Sequence, residues 1–310
     1  MARVIFMGTP DFSVPSLAAL LAGPFQVVAV VTQPDRRSGR GRRLAATPVK
    51  QAALAHGLPV LQPPTLRDPE TQAELAGYRP EVIVVAAFGQ ILRPAVLDLP
   101  PFGCINVHAS LLPRWRGAAP VQAAILAGDQ VTGSTVMRMD VGMDTGPILA
   151  QAAIPIAPDD TGGSLTDKLA EHGAGLLAET LPRWLAGEIT PRPQDERLAT
   201  VCRPLRKEQG RIDWSRPAAE IARAVRAYNP WPAASTSYQG TQLKILQAWA
   251  EEGSRQEPPG SLLARDEAVL VVTGQGLLRL EEVQLAGRRP TPAADFVRGQ
   301  RDFAGSRLGD

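Results

Sequence analysis

The stretch at residues 81–87, Glu81-Val82-Ile83-Val84-Val85-Ala86-Ala87, decides the fold class of this sequence, because its last six residues form an unbroken apolar run. Similar runs lie at residues 3–7, 26–32 and 102–108, and helical patterns at residues 11–21 and 48–56 separate them. Strands that are buried on both faces carry continuous apolar runs, whereas half-buried strands alternate. The pattern therefore predicts an α/β domain with a mostly parallel sheet and helices on both faces. Residues 134–139 and 148–156 are predicted to continue this sheet, before an amphipathic helix at residues 164–185.

The composition changes near residue 190, and a second domain is predicted beyond that point. Residues 191–196 read Pro-Arg-Pro-Gln-Asp-Glu, a polar and proline-stiffened stretch that is typical of a linker. A helical pattern at residues 218–228 precedes short strand patterns at residues 234–238, 242–250, 261–264, 268–272 and 276–285. Short strands at close spacing favour a small β domain. We therefore predict a first domain over residues 1–189, a linker over 190–206 and a β domain over 207–310.

Length and composition narrow the class of protein. A chain of 310 residues is long enough for two domains, each with its own core, and a net charge of +2 does not by itself indicate a polyanionic partner. Cys104 and Cys202 lie far apart without metal-like spacing, which argues against a disulfide framework and a zinc site. No signal-peptide pattern and no apolar run of membrane-spanning length is present. We expect a cytoplasmic monomer that binds neither a metal nor a membrane.

Side chains that can carry chemistry follow the predicted strand at residues 102–108. Residues 104–113 read Cys-Ile-Asn-Val-His-Ala-Ser-Leu-Leu-Pro, a strand that runs into a proline-stopped loop. Asn106 and His108 are two residues apart and therefore share one face of an extended strand. Asp144 lies in a segment flanked by glycines, which can turn sharply. An amide, an imidazole and a carboxylate suit the transfer of a carbonyl group, but from the pattern alone a structural role for each remains open.

A second feature is a cluster of arginines that comprises Arg36, Arg37, Arg40, Arg42 and Arg43. A run of charges is usually a solvated loop. This cluster, however, follows the end of the second predicted strand, so it lies on the same edge of the sheet as the segment around His108. Arginine makes bidentate contacts with phosphates and bases, and the glycines in the run leave the loop free to be ordered by a polyanion. The cluster therefore favours contact with a nucleic acid.

Asn106, His108 and Asp144 resemble the catalytic Asn-His-Asp set of the folate-dependent formyltransferases. The segment that continues through Ser110-Leu111-Leu112-Pro113 to Gly117 is similar to the His-x-Ser-Leu-Leu-Pro-x-x-x-Gly signature of that family. Further blocks resemble the branch of the family that acts on methionyl-initiator tRNA. They lie at residues 7–12 (Met-Gly-Thr-Pro-Asp-Phe), 32–36 (Thr-Gln-Pro-Asp-Arg), 113–120 (Pro-Arg-Trp-Arg-Gly-Ala-Ala-Pro), 211–214 (Arg-Ile-Asp-Trp) and 228–232 (Tyr-Asn-Pro-Trp-Pro). The resemblance thus covers nearly the whole chain, in order.

The resemblance implies an enzyme that transfers the formyl group of 10-formyltetrahydrofolate, its co-substrate, to the α-amine of methionyl-initiator tRNA for translation initiation. It implies a Rossmann-like catalytic domain and an oligonucleotide-binding-like β-barrel that binds tRNA. Asn106 and protonated His108 would donate hydrogen bonds to the oxyanion of the tetrahedral intermediate, while Asp144 would hold His108 and accept the amine proton. The arginine cluster would enter the acceptor end of the tRNA, and Arg42 matches the principal basic position there.

The resemblance also implies where the folate binds. The loop assigned to it consists of Ser110, Leu111, Leu112 and Pro113. A second segment follows the valine-rich strand and is assigned as a wall of the pterin pocket; it consists of Phe88, Gly89, Gln90, Ile91 and Leu92. Two positions depart from the family pattern. Pro204 replaces a basic residue, which puts a phosphate contact there in doubt, and Ala109 stands where many relatives have glycine.

Two other kinds of function remain open on the sequence. One is a formyltransferase of the same fold that acts on a small amine, such as glycinamide ribonucleotide or an amino sugar nucleotide, or the hydrolase relative that discards the formyl group. These enzymes share the Asn-His-Asp set but have no need of an arginine cluster together with a β domain. The other is a non-catalytic RNA-binding protein, against which the intact set of proton-handling residues counts.

Overall fold

The structure of the protein is a computed structural model that describes residues 1–38, 43–253, 256–265, 268–300, 303 and 306–309. The chain forms two compact units. One comprises Met1–Pro120, Val131–Pro155 and Thr166–Cys202, and the other comprises Val121–Gln130, Ile156–Leu165 and Arg203–Asp310. Within the described residues, none of the helices has the length and apolar character that crossing a membrane requires.

The first 202 residues contain strands and helices in alternation. The strands are β1 (Ala2–Gly8), β2 (Phe25–Val31), β3 (Arg36–Ser38), β4 (Arg43–Ala45), β5 (Val60–Leu61), β6 (Val82–Ala86), β7 (Cys104–His108), β8 (Arg116–Gly117), β9 (Val131–Arg138), β10 (Ile148–Pro155) and β11 (Val201–Cys202). The helices are α1 (Val14–Ala22), α2 (Pro48–Ala55), α3 (Pro69–Gly77), α4 (Pro94–Leu97), α5 (Pro120–Ala127) and α6 (Gly162–Leu185). Short 3-10 helices lie at Asp11–Ser13 and Glu196–Leu198.

The main sheet of the first unit has seven strands in the order β10-β9-β7-β6-β1-β2-β5. The five strands from β7 to β5 are parallel, whereas β9 runs antiparallel to both β7 and β10. The predicted mostly parallel sheet is therefore confirmed. Residues 134–139 and 148–156 do continue it, as its antiparallel edge.

Both faces of this sheet are buried, which explains the continuous apolar runs. Alternate residues of one strand enter two different cores. Val82 and Val84 join a core that includes Leu177 and Leu181 of α6, while Ile83 and Val85 join a core on the other face that includes Leu75 of α3. Each fully buried side chain of this size contributes about 1.5–3 kcal/mol relative to its exposed state. The sequence of these strands thus strongly favours a sheet that is covered on both faces.

The second unit contains a small antiparallel β structure. Its strands are β12 (Ser235–Tyr238), β13 (Thr241–Glu251), β14 (Leu262–Arg265), β15 (Ala268–Val272), β16 (Leu277–Leu285) and β17 (Thr291–Pro292), and its further helices are α7 (Ala218–Ala227) and α8 (Ala293–Arg298). The order is β12-β13-β16-β15-β14, with β17 paired to β16. Helix α7 buries Ile221 and Val225 in a core shared with Ile245. The antiparallel sheet is consistent with the barrel-like domain that was predicted.

Four loops of the first unit begin at one edge of its main sheet. They follow the carboxyl ends of β1, β2, β6 and β7, which are adjacent and parallel. In α/β sheets, ligands bind outside the carboxyl ends of the strands. The described residues after β2, β6 and β7 include those that the sequence assigned to the folate and the described part of the arginine cluster, and they begin at this one edge.

Candidate active site

Asn106 and His108 lie on β7, and their side chains project from the same face of the strand. The intervening Val107 and the preceding Ile105 are buried in the core on the opposite face. Asn106 is only 8% exposed and His108 only 6%. A buried amide and imidazole require hydrogen-bonding partners, because an unsatisfied polar group costs about 1–3 kcal/mol. Those partners come from elsewhere in the chain.

Asp144 supplies two of these contacts from the loop between β9 and β10. Its Oδ1 accepts a hydrogen bond of 3.4 Å from Nδ2 of Asn106. Its Oδ2 lies 3.7 Å from Nδ1 of His108 and accepts a 2.8 Å bond from the backbone N–H of Gly117. The structure therefore brings together the three residues that the sequence singled out, although 36 positions separate His108 from Asp144 along the chain.

The imidazole of His108 faces a second acceptor. Its Nε2 lies 3.0 Å from the carbonyl oxygen of Trp115. A carbonyl and a carboxylate both accept, and a neutral imidazole has only one N–H to donate. Only an imidazolium ring, with two N–H groups, could donate to both acceptors. The 3.7 Å between Nδ1 and Oδ2 of Asp144 is longer than a direct hydrogen bond.

The Asp144 loop is held by a network that the sequence did not reveal. Asp144 has a positive φ of 55°, and Nε2 of Gln194 donates to the carbonyl oxygens of Asp144 (2.8 Å) and Gly146 (2.7 Å). Oε1 of Gln194 accepts from Arg116, which also pairs with Glu196 at 2.6 Å. The Arg116 guanidinium holds the pKa of the Glu196 carboxyl below its usual range. The positions of Gln194 and Glu196 in the sequence do not indicate that they support the Asp144 loop. Of the three residues in this network, only Arg116 lies in a motif that resembles the family.

The loop assigned to the folate is fixed against β9. Thr135 donates through Oγ1 to the carbonyl oxygen of Ser110 (2.6 Å) and accepts from the backbone N–H of Leu112 (3.1 Å). Nε2 of Gln151 donates to the carbonyl oxygen of Leu112 at 2.8 Å. Ser110 is fully buried and donates to the carbonyl oxygen of Arg114. Residues 110–113 therefore form a rigid segment that begins two positions after His108.

The segment after β6 divides between core and surface. The side chains of Phe88 and Leu92 are buried in the hydrophobic core, whereas Ile91 is 72% exposed. Gln90 accepts from the backbone N–H of Leu66 through Oε1, so its side chain is occupied within the protein. Gly89 has a φ of 86°, which favours glycine. Among the side chains of this segment that of Ile91 is exposed, while the carbonyl oxygen of Phe88 accepts a hydrogen bond from Oγ1 of Thr9.

The arginine cluster lies only partly in the described residues. Arg36 is exposed and begins β3, while the backbones of Arg37 and Arg43 belong to the hairpin of β3 and β4. Arg40 and Arg42 lie outside the described residues. At the foot of the hairpin, Nζ of Lys50 donates to Oδ2 of Asp35 at 2.7 Å. Hydrogen bonds from Lys50 and then from Gln62 hold the pKa of Asp35 below its ordinary value. These hydrogen bonds fix the position of Asp35, which directly precedes the hairpin.

Other reactive groups do not add to the site. Burial raises the pKa of the Cys104 thiol to about 12, and burial also raises that of Cys202. In the part of the chain that the structure describes, no three or more His, Cys, Asp or Glu side chains gather in a way that could hold a metal ion.

Comparison with known proteins identifies relatives along the whole chain. Residues 2–181 match the formyl transferase family model, and residues 204–301 match the model of the formyl transferase C-terminal domain. A methionyl-tRNA formyltransferase from Roseiflexus castenholzii is 54% identical over 309 residues, which cover 99% of both chains. Another, from Pseudomonas paraeruginosa, is 51% identical over 310 residues with the same coverage.

A solved structure shares the fold at much lower sequence identity. It is the N-formyltransferase from Helicobacter canadensis in complex with folinic acid and dTDP-3-aminofucose. The two chains superpose with a TM-score of 0.68 at 19% identity, over 90% of this chain and 98% of the other. At that identity the likeness concerns the fold alone.

Proposed function

The chain belongs to the formyl transferase family, and we propose that it transfers the formyl group of 10-formyltetrahydrofolate to the α-amine of methionyl-initiator tRNA. The product is N-formylmethionyl-tRNA, which enters translation initiation. Relatives of this kind are more than 50% identical over nearly the full chain, so a small-amine acceptor and a non-catalytic RNA-binding role are not favoured. We expect the protein in the cytoplasm, where that product is used.

The observation that supports this function most directly is the contact of Asn106 and His108 with one carboxylate, that of Asp144. We propose these three as the catalytic residues. The amine attacks the formyl carbon and forms a tetrahedral oxyanion. Asn106 has two N–H groups and uses one on Asp144, so the second is free to donate to that oxyanion. A donor of this kind is worth about 2.7–4 kcal/mol in the transition state.

Proton transfer completes the reaction. The amine must lose a proton as the new C–N bond forms, and N10 of the folate must gain one as its bond to the formyl carbon breaks. Nε2 of His108 is engaged by the carbonyl of Trp115, so the proton that passes to N10 is the one on Nδ1, which faces Asp144. Ionised Asp144 stabilises the imidazolium; it then accepts the amine proton, directly or through a water, and passes it to Nδ1 after His108 has protonated N10. No metal is required by this scheme.

We further propose which parts of the protein the folate and the tRNA contact. The folate lies against residues 110–113 and the segment 88–92, which leave the sheet edge beside His108. The tRNA contacts Arg36, Arg37, Arg40, Arg42 and Arg43. It also contacts the second unit, in which Lys207, Arg211 and Arg307 line a cleft of about 930 Å³. We therefore propose that residues 1–189 form the catalytic domain, residues 190–206 the linker and residues 207–310 the tRNA-binding domain. We also propose that the protein is a monomer.

One assay tests the acceptor directly. The protein is incubated with 10-formyltetrahydrofolate labelled in the formyl group, and with methionyl-initiator tRNA, uncharged initiator tRNA or glycinamide ribonucleotide. We expect label only on the charged tRNA, and its loss when the methionyl ester is hydrolysed. Faster labelling of glycinamide ribonucleotide than of methionyl-tRNA would refute the proposal.

A further inference from the structure

Gln194 makes four hydrogen bonds within a stretch whose composition is that of a linker. Oε1 accepts from Nε (3.0 Å) and Nη2 (2.8 Å) of Arg116. Nε2 donates to the carbonyl oxygens of Asp144 (2.8 Å) and Gly146 (2.7 Å). A glutamine amide has two N–H donors and two acceptor lone pairs, so all four are used. The orientation of this side chain is therefore fixed by its partners.

Arg116 provides a firm support for Gln194. It is only 5% exposed, and its guanidinium also donates to both carboxylate oxygens of Glu196, at 2.8 and 2.6 Å. Its backbone N–H donates to the carbonyl oxygen of Thr200, where β8 pairs with β11. The next residue, Gly117, donates to Oδ2 of Asp144. Asp144 is thus held through its side chain by Gly117 and through its backbone by Gln194.

The backbone of Asp144 requires such support. Its φ of 55° lies in the left-handed region, which aspartate tolerates but at a cost of about 1–3 kcal/mol. Residues stay in that region only where the surroundings hold them. The two carbonyls that Gln194 binds bracket Thr145, so these bonds restrain the turn that directs the carboxylate toward His108 and Asn106.

We infer that Gln194 is a positioning residue for the reaction: it holds the Asp144 carboxylate where the amine proton must be accepted. This inference rests on the proposed function, because it concerns the same carboxylate. Gln194 itself contacts neither substrate and acts only through the Asp144 loop. A misplacement of about 1 Å in a reacting group can cost up to about 100-fold in rate. Removal of the restraint should therefore reduce kcat while the affinities for folate and tRNA stay unchanged.

The test combines two substitutions at Gln194 with a double-mutant cycle. Gln194→Leu removes all four hydrogen bonds at similar volume. Gln194→Glu keeps the two bonds from Arg116 but removes both N–H donors and places a carboxylate against two carbonyl oxygens. The control is Gln72→Leu, which removes one half-buried glutamine-to-carbonyl bond, to Leu66, outside this network. Each is made in the parent and in Asp144→Asn, and kcat, KM for methionyl-tRNA, folate affinity and melting temperature are measured.

We expect both Gln194 variants to lower kcat by about 10- to 100-fold. The reduction should shrink to less than about threefold in the Asp144→Asn background, because an absent base cannot be misplaced; this coupling is what a purely structural role would not produce. The control should keep the parent kcat. Parent-like kcat in either Gln194 variant, equal reductions in both backgrounds, or melting of both variants below the assay temperature would overturn the inference. A parent protein that does not formylate methionyl-tRNA would instead refute the proposed function.

Discussion

The backbone N–H of Gly117 donates a 2.8 Å hydrogen bond to Oδ2 of Asp144. The same oxygen is the one that lies 3.7 Å from Nδ1 of His108. Strand β8 and the loop between β9 and β10 therefore meet at the carboxylate proposed to accept the proton. Because that oxygen already has a backbone donor, its position relative to the imidazole is set by main-chain geometry.

Asp144→Asn should abolish most turnover and leave the fold intact. The amide is close to the carboxylate in size, but it can neither accept the amine proton nor stabilise an imidazolium. We expect kcat to fall by about 10²- to 10⁴-fold, the usual contribution of a general acid or base. Folate affinity, measured by titration, and melting temperature should match the parent. Near-parent turnover in a variant that melts like the parent would remove Asp144 from the proposed mechanism.

Gly117→Ala should destabilise the first unit. Gly117 has a φ of 110°, and a Cβ there would overlap the carbonyl oxygen of Cys202, to which its strand β8 is paired. Left-handed backbone alone costs a residue with a side chain about 1–3 kcal/mol. The control is Gly175→Ala, which lies exposed within α6 with open space around it. It should stabilise by about 0.5–1 kcal/mol, because alanine is the better helix former. A lower melting temperature for Gly117→Ala and a higher one for Gly175→Ala would agree with both predictions. Equal shifts in the two variants would contradict them.

The sequence was sufficient to predict the structural features that come from patterns repeated along the chain, such as apolar strands. Strands β1 and β6 are buried on both faces, so their apolar runs are continuous and could be recognised without tertiary information. The spacing of two between Asn106 and His108 correctly indicated one face of a strand. Asp144 could be named from its glycine neighbours and from the family motif, but its contact with those residues depends on the antiparallel placement of β9 and β10.

The network around Gln194 could not be predicted for a physical reason. Arg116 and Gln194 are 78 positions apart, and their hydrogen bonds follow no periodicity that a sequence displays. The stretch 191–196 has the polar, proline-rich composition of a linker because three of its six residues are exposed and the other three are only partly buried. The contacts of one partly buried amide within such a stretch leave its composition unchanged. In the same way, Phe88 follows a strand in a motif assigned to the pterin, and only packing shows that its side chain is in the core.

The ion pair of Arg116 and Glu196 predicts a pH dependence of stability. The pKa of Glu196 is lowered from its ordinary value of 4.5 by the Arg116 guanidinium. Its contribution should therefore be complete above pH 4.5 and disappear as the pH falls through the lowered value. The difference in melting temperature between the parent and Glu196→Gln should be present at pH 7 and disappear as the solution is acidified below pH 4.5 and through the lowered pKa. The control Glu188→Gln, in an exposed pair with Arg183, should show almost no difference at any pH. A Glu196→Gln difference that grows in acid would contradict the assignment.

Both cysteines should be unreactive in the folded protein. Cys104 is buried with a pKa of about 12, and burial also raises the pKa of Cys202. The thiolate is the nucleophile, so a raised pKa and lack of access both slow alkylation and disulfide exchange. At pH 8 we expect no rapid reaction of the native protein with a thiol-reactive disulfide dye, and two equivalents of reaction after denaturation. Stoichiometric labelling of the native protein within minutes would show that one thiol is open to solvent.

The arginine cluster should carry a salt-sensitive part of tRNA binding. Arg42→Ala should weaken the affinity for methionyl-initiator tRNA. It should also reduce the log–log slope of affinity against salt concentration, by about one unit or less for each phosphate that the variant no longer neutralises. Folate affinity should not change, because the folate is assigned to residues 110–113. Deletion of residues 37–43 should have a larger effect than any single substitution, since neighbouring arginines in one loop share the phosphates that they bind.

The matched control for this last experiment is Arg183→Ala, which removes an exposed arginine at the end of α6. Its neighbour Trp184 donates to the carbonyl oxygen of Phe102, just before β7 begins, so Arg183 lies toward the opposite edge of the sheet from the arginine cluster. We expect Arg183→Ala to keep the parent slope and affinity. If Arg42→Ala also keeps them while folate affinity falls, the loop belongs to the folate site. If Arg183→Ala and Arg42→Ala reduce the slope equally, the effect is one of net charge and the loop has no specific part in binding tRNA.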